Sequence, residues 1–304
     1  VMNHFSPEGS DMHRIAPGFF AEGRDTPWGA AIDFARPAVR AFFKDLCLGW
    51  LADYRLDGIR FDAVHQILDD TDPHFMLELG RAIRAEDWGR PIHLILEDER
   101  NLPHFRDTGL YDAQWNDDFH HALHVRLTGE TQKHLLRYAA DPVGDLARVL
   151  AEGQCETGQP REGLDEPRGA PAGHLPWTAF VNCNQNHDQV GNHPRNARLI
   201  ALVPEARAAE VAHALLLGAP FVPMLWMGEE VGSREPFFYF TDVSEALARA
   251  ISEGRRREFG LKEGESYPEP NDPDTFERSR PFRDEDGDQA RHWRELTRRL
   301  LQLR

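Results

Sequence analysis

Residues 56–67 read LDGIRFDAVHQI. Leu56, Ile59, Phe61 and Val64 are the apolar half of a strand, and Asp57, Arg60, Asp62 and His65 interrupt it. A strand buried on both faces is apolar almost throughout, so an arginine and an aspartate two residues apart need a reason. Two further segments share the habit. PIHLILEDE runs from Ile92, Leu94, Ile95 and Leu96 into Glu97, Asp98 and Glu99, and TAFVNCNQNHD ends in His187 and Asp188. In parallel α/β folds the carboxyl ends of strands form the floor of the active site. Carboxylates delivered there from separate strands can break a glycosidic bond with retention. One is an ionised nucleophile and one a protonated acid, ~5–5.5 Å apart; a third stabilises the positive transition state. On this reading Arg60 holds Asp62 ionised, because an adjacent cation lowers a carboxylate pKa. The apolar run before Glu97 desolvates that group and raises its pKa.

Each motif has a structural alternative. Arg60 and Asp62 could be a buried ion pair, residues 97–99 a solvated turn, and NQNHDQVGN a loop held by Asn and Asp side chains. His4 could be a satisfied structural histidine. His, Asp and Glu are also metal ligands, but no metal and no other cofactor is expected.

The elements that must position these residues follow from patterning. The 304 residues suit one α/β barrel or two smaller domains. Apolar runs alternate with helical periodicity, which predicts a parallel sheet with crossover helices. Strands are expected near residues 1, 57, 92, 111, 179 and 221. Helices are expected over 37–54, 73–88, 117–129, 142–152, 205–218, 243–257 and 290–303. Asp72 is the expected N-cap of the second, with Pro73 in its first turn and Gly89 past its end. Residues 6–36 and 153–176, rich in Gly and Pro, read as loops.

Lys and Arg number 35 against 51 Asp and Glu, a net charge of −16. That argues against a nucleic-acid partner, which wants a basic face. No window approaches the ~18 apolar residues of a membrane span, and VMNHFSPEGS has no signal-peptide character. Cys47, Cys155 and Cys183 are scattered and odd in number, as expected for reduced thiols of a cytoplasmic protein.

DGIRFDAVH, LILEDERN and QNHDQVGN resemble three signature regions of the α-amylase superfamily of retaining glycosidases, and VMNH resembles the tail of a fourth. The resemblance implies Asp62 as nucleophile, Glu97 as general acid/base and Asp188 as transition-state stabiliser. It implies that Arg60 orients the nucleophile and that His4 and His187 hydrogen-bond sugar hydroxyls. Longer stretches (NHFSPEG, TPWGAAIDF, YDAQWNDDFHHALHVRLTGE and MGEEVGSREPFFYFTD) resemble the branch that cleaves the α-1,4 bond next to the terminal trehalose of maltooligosyltrehalose. That implies maltooligosyltrehalose or a related α-glucan as substrate. Trp28, Phe237, Phe238 and Tyr239 are then candidate stacking residues, and His65 and Glu229 further binding candidates. Two other outcomes share the triad: a transglycosylase such as a branching enzyme, and a carbohydrate-binding form without turnover.

The family's first signature starts with an aspartate four residues before its Asn, and here only Val1 and Met2 precede Asn3. The fold expected over 1–304 is therefore an incomplete (β/α)8 TIM barrel, about strands three to eight with their helices. It would lack the first strands and the flanking β domains. Such a barrel has open edges, so a second chain supplying the missing strands is a candidate partner.

Overall fold

A computed structural model describes residues 1–6, 8–262, 265–281 and 287–304. The chain divides into two compact units, Val1–Asp118 with Ala147–Val181, and Phe119–Leu146 with Asn182–Arg304.

In the first unit two helices show why their sequences fold as they do. Pro37–Ala52 buries Val39, Phe43, Cys47 and Leu51, one residue per turn along a single stripe. Phe75–Ala85 buries Phe75, Met76, Leu79, Gly80 and Ile83, again at three- and four-residue spacing. The two stripes close on one core with Phe34, Phe61, Leu94, Leu96 and Tyr111. Phe34 stacks on Phe75 with centroids 4.4 Å apart.

The core seats a parallel sheet. Strands β3 (Gly58–Phe61), β4 (His93–Leu96), β5 (Ala113–Trp115) and β6 (Phe180–Asn182) pair in chain order. The register sets the site: Phe61 pairs with Leu96, so Asp62 and Glu97 leave the carboxyl ends of adjacent strands at the same level. The last residue of β6, Asn182, begins the second unit. There its carbonyl accepts from Met224 N–H at 2.8 Å, beside the short strand β7 (Val222–Pro223).

Several expectations are corrected. Residues 1–5 form no strand; Asn3 instead turns its Nδ2 onto Ala63 O at 3.3 Å. Residues 6–36 are not all loop, since β1 (Phe20–Thr26) and β2 (Gly29–Ile32) form an antiparallel hairpin around the Pro27–Trp28 turn. Its apolar residues Ala31 and Ile32 are buried, so the hairpin has a core face that Gly and Pro content hid. The second helix starts at Phe75 rather than Pro73, with His74 as its cap. Asp69, not Asp72, takes the Phe75 N–H at 2.6 Å. Asp69 is fixed in turn by Arg40 at 3.1 Å, and Arg40 also pairs with Glu78 at 2.6 Å. That network fixes the segment that leads into the helix.

Candidate active site

The two adjacent strand ends place Asp62 and Glu97 on one guanidinium. Arg60 Nη1 donates to Asp62 Oδ1, and Arg60 Nη2 donates to Glu97 Oε2 at 2.5 Å. Arg60 itself lies over the Trp115 ring, 4.0 Å from its centroid. Trp115 belongs to β5, on the far side of β4, so a third strand supplies the platform on which the arginine rests. Sequence reading missed Trp115; strand order is what brings it there.

Backbone completes the clamp. Ala63 follows Asp62 in the left-handed region, φ 41° and ψ 52°, a conformation that costs a non-glycine residue about 1–2 kcal/mol. The turn aims the Ala63 N–H at Glu97 Oε2, 3.0 Å away. Glu97 N–H donates to Phe61 O at 2.9 Å and Val64 N–H to Glu97 O at 3.0 Å, so the loop after β3 is tied to the end of β4.

The two carboxyl groups respond in opposite directions. Burial works to raise Asp62, but the Arg60 charge and hydrogen bonds from Glu97 and Arg60 outweigh it. Asp62 sits below the ordinary carboxylate range. Burial also raises Glu97, and here it prevails over Arg60 and the Ala63 N–H, helped by repulsion from Asp62 and Asp117. The group is pushed up to about 7. One carboxylate stays charged while its neighbour keeps a proton near neutrality, the division of labour that acid/nucleophile pairs require.

The other candidates fall as follows. His4 hydrogen-bonds Asn3 Oδ1 and stacks on Trp28, centroids 5.4 Å apart. Burial lowers its pKa, and the Asp62 charge works in the other direction. Trp28 is 47% exposed at the hairpin turn. His65 Nε2 lies 3.2 Å from Glu99 Oε1, and burial lowers its pKa too.

Asp188 lies in the second unit. It does not leave a strand end directly: β6 stops at Asn182, and Asp188 is in the first turn of the helix His187–Gly191. Asn186 makes that turn, its Oδ1 accepting from Asp188 N–H at 2.9 Å and Gln189 N–H at 3.2 Å. Nearly half of each of the His187 and Asp188 side chains is open to solvent. Trp226 lies beside His187, centroids 6.0 Å apart, and Phe237 meets Trp226 at 5.2 Å.

Phe238, Tyr239 and Glu229 are placed as follows. Phe238 is buried, with Arg278 over its ring at 4.7 Å. One face of Tyr239 is covered by the Arg255 guanidinium at 3.8 Å. Glu229 is only 8% exposed. Its carboxylate accepts from Trp226 N–H at 2.6 Å, and burial pushes it up to about 8 against Arg198, Gln185 and Asn184. It braces the loop that carries Trp226. The sequence reading also passed over His120 and His124, four apart on the helix Asp117–Thr128. His124 Nε2 bonds Glu130 Oε2 at 2.8 Å. Among the described residues no group of three or more His, Cys, Asp or Glu is placed to hold a metal ion. None of the three cysteines is in a disulfide, and all three are buried. No helix among the described residues is long and apolar enough to cross a membrane.

Comparison with known proteins adds relatives to this geometry. No protein-family model matches the chain. The malto-oligosyltrehalose trehalohydrolase of Rhizobium sp. is 38% identical over 100% of this chain and 53% of its own length. That of Deinococcus radiodurans is 37% identical over 100% of this chain and 51% of its own. A crystal structure from Salmonella typhimurium, provisionally described as an alpha amylase, superposes with a TM-score of 0.95 and 43% identity, over 100% of this chain and 53% of that one. The chain thus spans about half the length of the relatives it matches. The parallel strands and their crossover helices are those of a TIM-barrel family fold. By these matches the chain is similar, over about half of their length, to the malto-oligosyltrehalose trehalohydrolases.

Proposed function

We propose that this chain is part of the catalytic barrel of a retaining glycosidase that cleaves the α-1,4 bond next to the terminal trehalose of a maltooligosyltrehalose. The observation that carries the reading is the pair of carboxyl groups on Arg60, one held down and one pushed up to about 7. Sharing one guanidinium keeps them close, as the ~5–5.5 Å spacing of retaining enzymes demands.

In the first step Glu97 gives its proton to the glycosidic oxygen while Asp62 attacks the anomeric carbon. The C–O bond breaks, trehalose leaves, and a glycosyl ester forms on Asp62. Glu97, now ionised, takes a proton from water. The resulting hydroxide attacks the same carbon and frees Asp62. The resemblance assigns Asp188 the part of third carboxylate, stabilising the positive charge that develops in both steps. His4 and His187 hold hydroxyls of the sugar being cleaved, with Trp28 and Phe237 as stacking surfaces. We read β3–β7 as the last five strands of the (β/α)8 barrel and residues 1–4 as the tail of the third. Three buried cysteines outside any disulfide fit a cytoplasmic setting.

Incubation with maltooligosyltrehalose and with amylose, followed by product analysis, tests the proposal. Trehalose and a shortened α-maltooligosaccharide are expected from the first substrate. Asp62→Asn and Glu97→Gln each abolish at least ~1,000-fold of the turnover. New branch points from amylose, or near-normal rates in Asp62→Asn, would overturn it.

A further inference from the structure

The stretch HHALHVRLTGE puts His121 and His124 three residues apart, on one face of the helix Asp117–Thr128. Both lie in the second unit, as does Asp188. The helix ends by turning back on itself. Thr128 Oγ1 donates to His124 O at 2.8 Å and accepts from Glu130 N–H at 3.1 Å, and Gly129 between them takes φ +74°. Glu130 is thereby brought over its own helix, where His124 Nε2 donates to Glu130 Oε2 at 2.8 Å.

That face meets the segment that carries Asp188 at two points. Gln189 Nε2 donates to His121 Nε2 at 3.4 Å. His193 Nε2 donates to Glu130 Oε2 at 3.2 Å. The tautomer of His193 is set, because its Nδ1 accepts from Arg195 N–H at 3.1 Å and the ring proton is left on Nε2. Burial lowers the His193 pKa and so favours this neutral ring. The hydrogen bond from His124 leads in holding Glu130 down to about 2, with His193 adding to it against burial, so the acceptor between the two rings is a full carboxylate. The exposed Arg195 guanidinium is a more distant partner, 3.5 Å from Glu130 Oε1.

The helix His187–Gly191 is a single stiff turn. Asn192 N–H donates to Asp188 O at 2.9 Å and His193 N–H to Val190 O at 3.3 Å. Gly191 O accepts from Asn196 Nδ2 at 2.8 Å and from Arg255 Nη2 at 3.1 Å. These bonds keep the turn folded without Glu130; what Glu130 adds is its seat on the longer helix. The side chains of His124, His193 and Glu130 are mostly buried. Desolvation opposes joining two helices through such groups, and an apolar contact of equal size would hold them as firmly. A hydrogen-bonded network supplies instead one fixed geometry.

We infer that Glu130 is a positioning residue for Asp188, seating the helix His187–Gly191 on the helix Asp117–Thr128 through His193 and His124. The inference rests on the reading of Asp188 as the third carboxylate and deepens it. A misplacement of ~1 Å can cost about 100-fold in rate, so the seat governs turnover more than substrate binding.

The test measures kcat and KM for trehalose release from maltooligosyltrehalose in Glu130→Ala, Glu130→Gln, Asp188→Asn and the Glu130→Ala/Asp188→Asn double variant. Backbone hydrogen exchange over residues 188–193 is followed in the parent and in each Glu130 variant. Glu130→Ala lowers kcat about tenfold with KM within about twofold, and Glu130→Gln, which keeps an acceptor, recovers most of it. With Asp188 already replaced, Glu130→Ala costs less than about twofold more, because the two losses are one loss. Exchange over 188–193 quickens about tenfold in Glu130→Ala. Losses that add in the double variant, an unchanged kcat, or unchanged exchange overturn the assignment. His193→Ala removes one arm of the clamp and takes the place of Glu130→Ala if that variant does not fold. If the parent releases no trehalose, the glycosidase reading falls and exchange alone decides the seat: faster exchange over 188–193 upholds it and unchanged exchange overturns it.

Discussion

Replacing Arg60 by Gln is the sharpest perturbation of the candidate site, because one guanidinium touches both of the carboxyl groups proposed to react. Between 23% and 28% of each of the three side chains is exposed, so the pair lies in a medium of intermediate polarity. Two unit charges ~4 Å apart at an effective dielectric of ~20 interact by about 4 kcal/mol. Water that refills the gap recovers part of this, leaving a pKa change of about 1–2 units at 1.36 kcal/mol each. The signs follow from the two proposed roles. Asp62 must be ionised and Arg60 holds its pKa down, so losing the cation moves the acidic limb of kcat/KM upward in pH. Glu97 must be protonated, and Arg60 also pulls its pKa down from where burial would put it, so the alkaline limb moves up as well. The bell is displaced by about 1–2 pH units without narrowing, and its plateau falls roughly 100-fold as the carboxyls lose their common anchor. Arg60→Lys keeps the charge but loses the fork and the Trp115 contact; its limbs stay near the original positions while its plateau falls. The assay is kcat/KM on maltooligosyltrehalose from roughly pH 4 to 9, with thermal melts of each variant to confirm folding. Limbs that move in opposite directions, or an Arg60→Lys profile displaced as far as Arg60→Gln, would refute the shared-cation argument.

Three more predictions concern stability. Glu229 has a folded pKa of about 8 against 4.5 for the free group, so the stability linked to it is complete below about pH 4.5 and is lost as pH rises through 8. The Tm of the parent protein falls across that window, and Glu229→Gln flattens the fall, which melts at several pH values will show. Gly153 has φ +88°, and a Cβ there would stand 2.2 Å from Phe180 Cζ. Gly153→Ala should therefore cost about 2–4 kcal/mol in urea unfolding. Phe75 is fully buried, stacked on Phe34 and overlaid by Arg40 at 5.5 Å. Phe75→Ala lowers the unfolding free energy by about 3–5 kcal/mol, and a loss under 1 kcal/mol would show that this core can collapse around the gap.

The clustering of Asp62 and Glu97 was legible because the strand and its carboxyl end share one signal. In LDGIRFDAV and PIHLILEDE the apolar run gives the strand, and the first charge after it marks the carboxyl end. Local pattern could not supply what depends on pairing partners. Trp115 reaches Arg60 only because β5 follows β4 in the sheet. Asp188 was read as the end of a strand, but the Asn186 side chain captures the next amides and starts a helix. The β1–β2 hairpin was hidden by its Gly and Pro content, since half of its turn signal lies in backbone geometry. The helix cap moved from Asp72 because Asp69, held by Arg40 from another helix, took the amide first. Glu229 was a binding candidate in MGEEVG, and its enclosure depends on tertiary packing that local sequence does not show.

The shared guanidinium also bears on what would separate the proposed acid from the proposed nucleophile. Arg60 donates to both carboxyls, so the cation alone cannot set them apart. Desolvation is the largest influence on each and raises both. The difference lies in what each receives against it. Asp62 accepts from Arg60 and from the Glu97 carboxyl itself, while Glu97 has the Ala63 amide and meets repulsion from Asp62 and Asp117. A proton placed on Glu97 therefore does two things at once: it removes the repulsion and supplies a hydrogen bond that keeps Asp62 ionised. The pair is self-sorting, and the strained turn at Ala63 matters because it sets the level at which the two carboxyl groups meet.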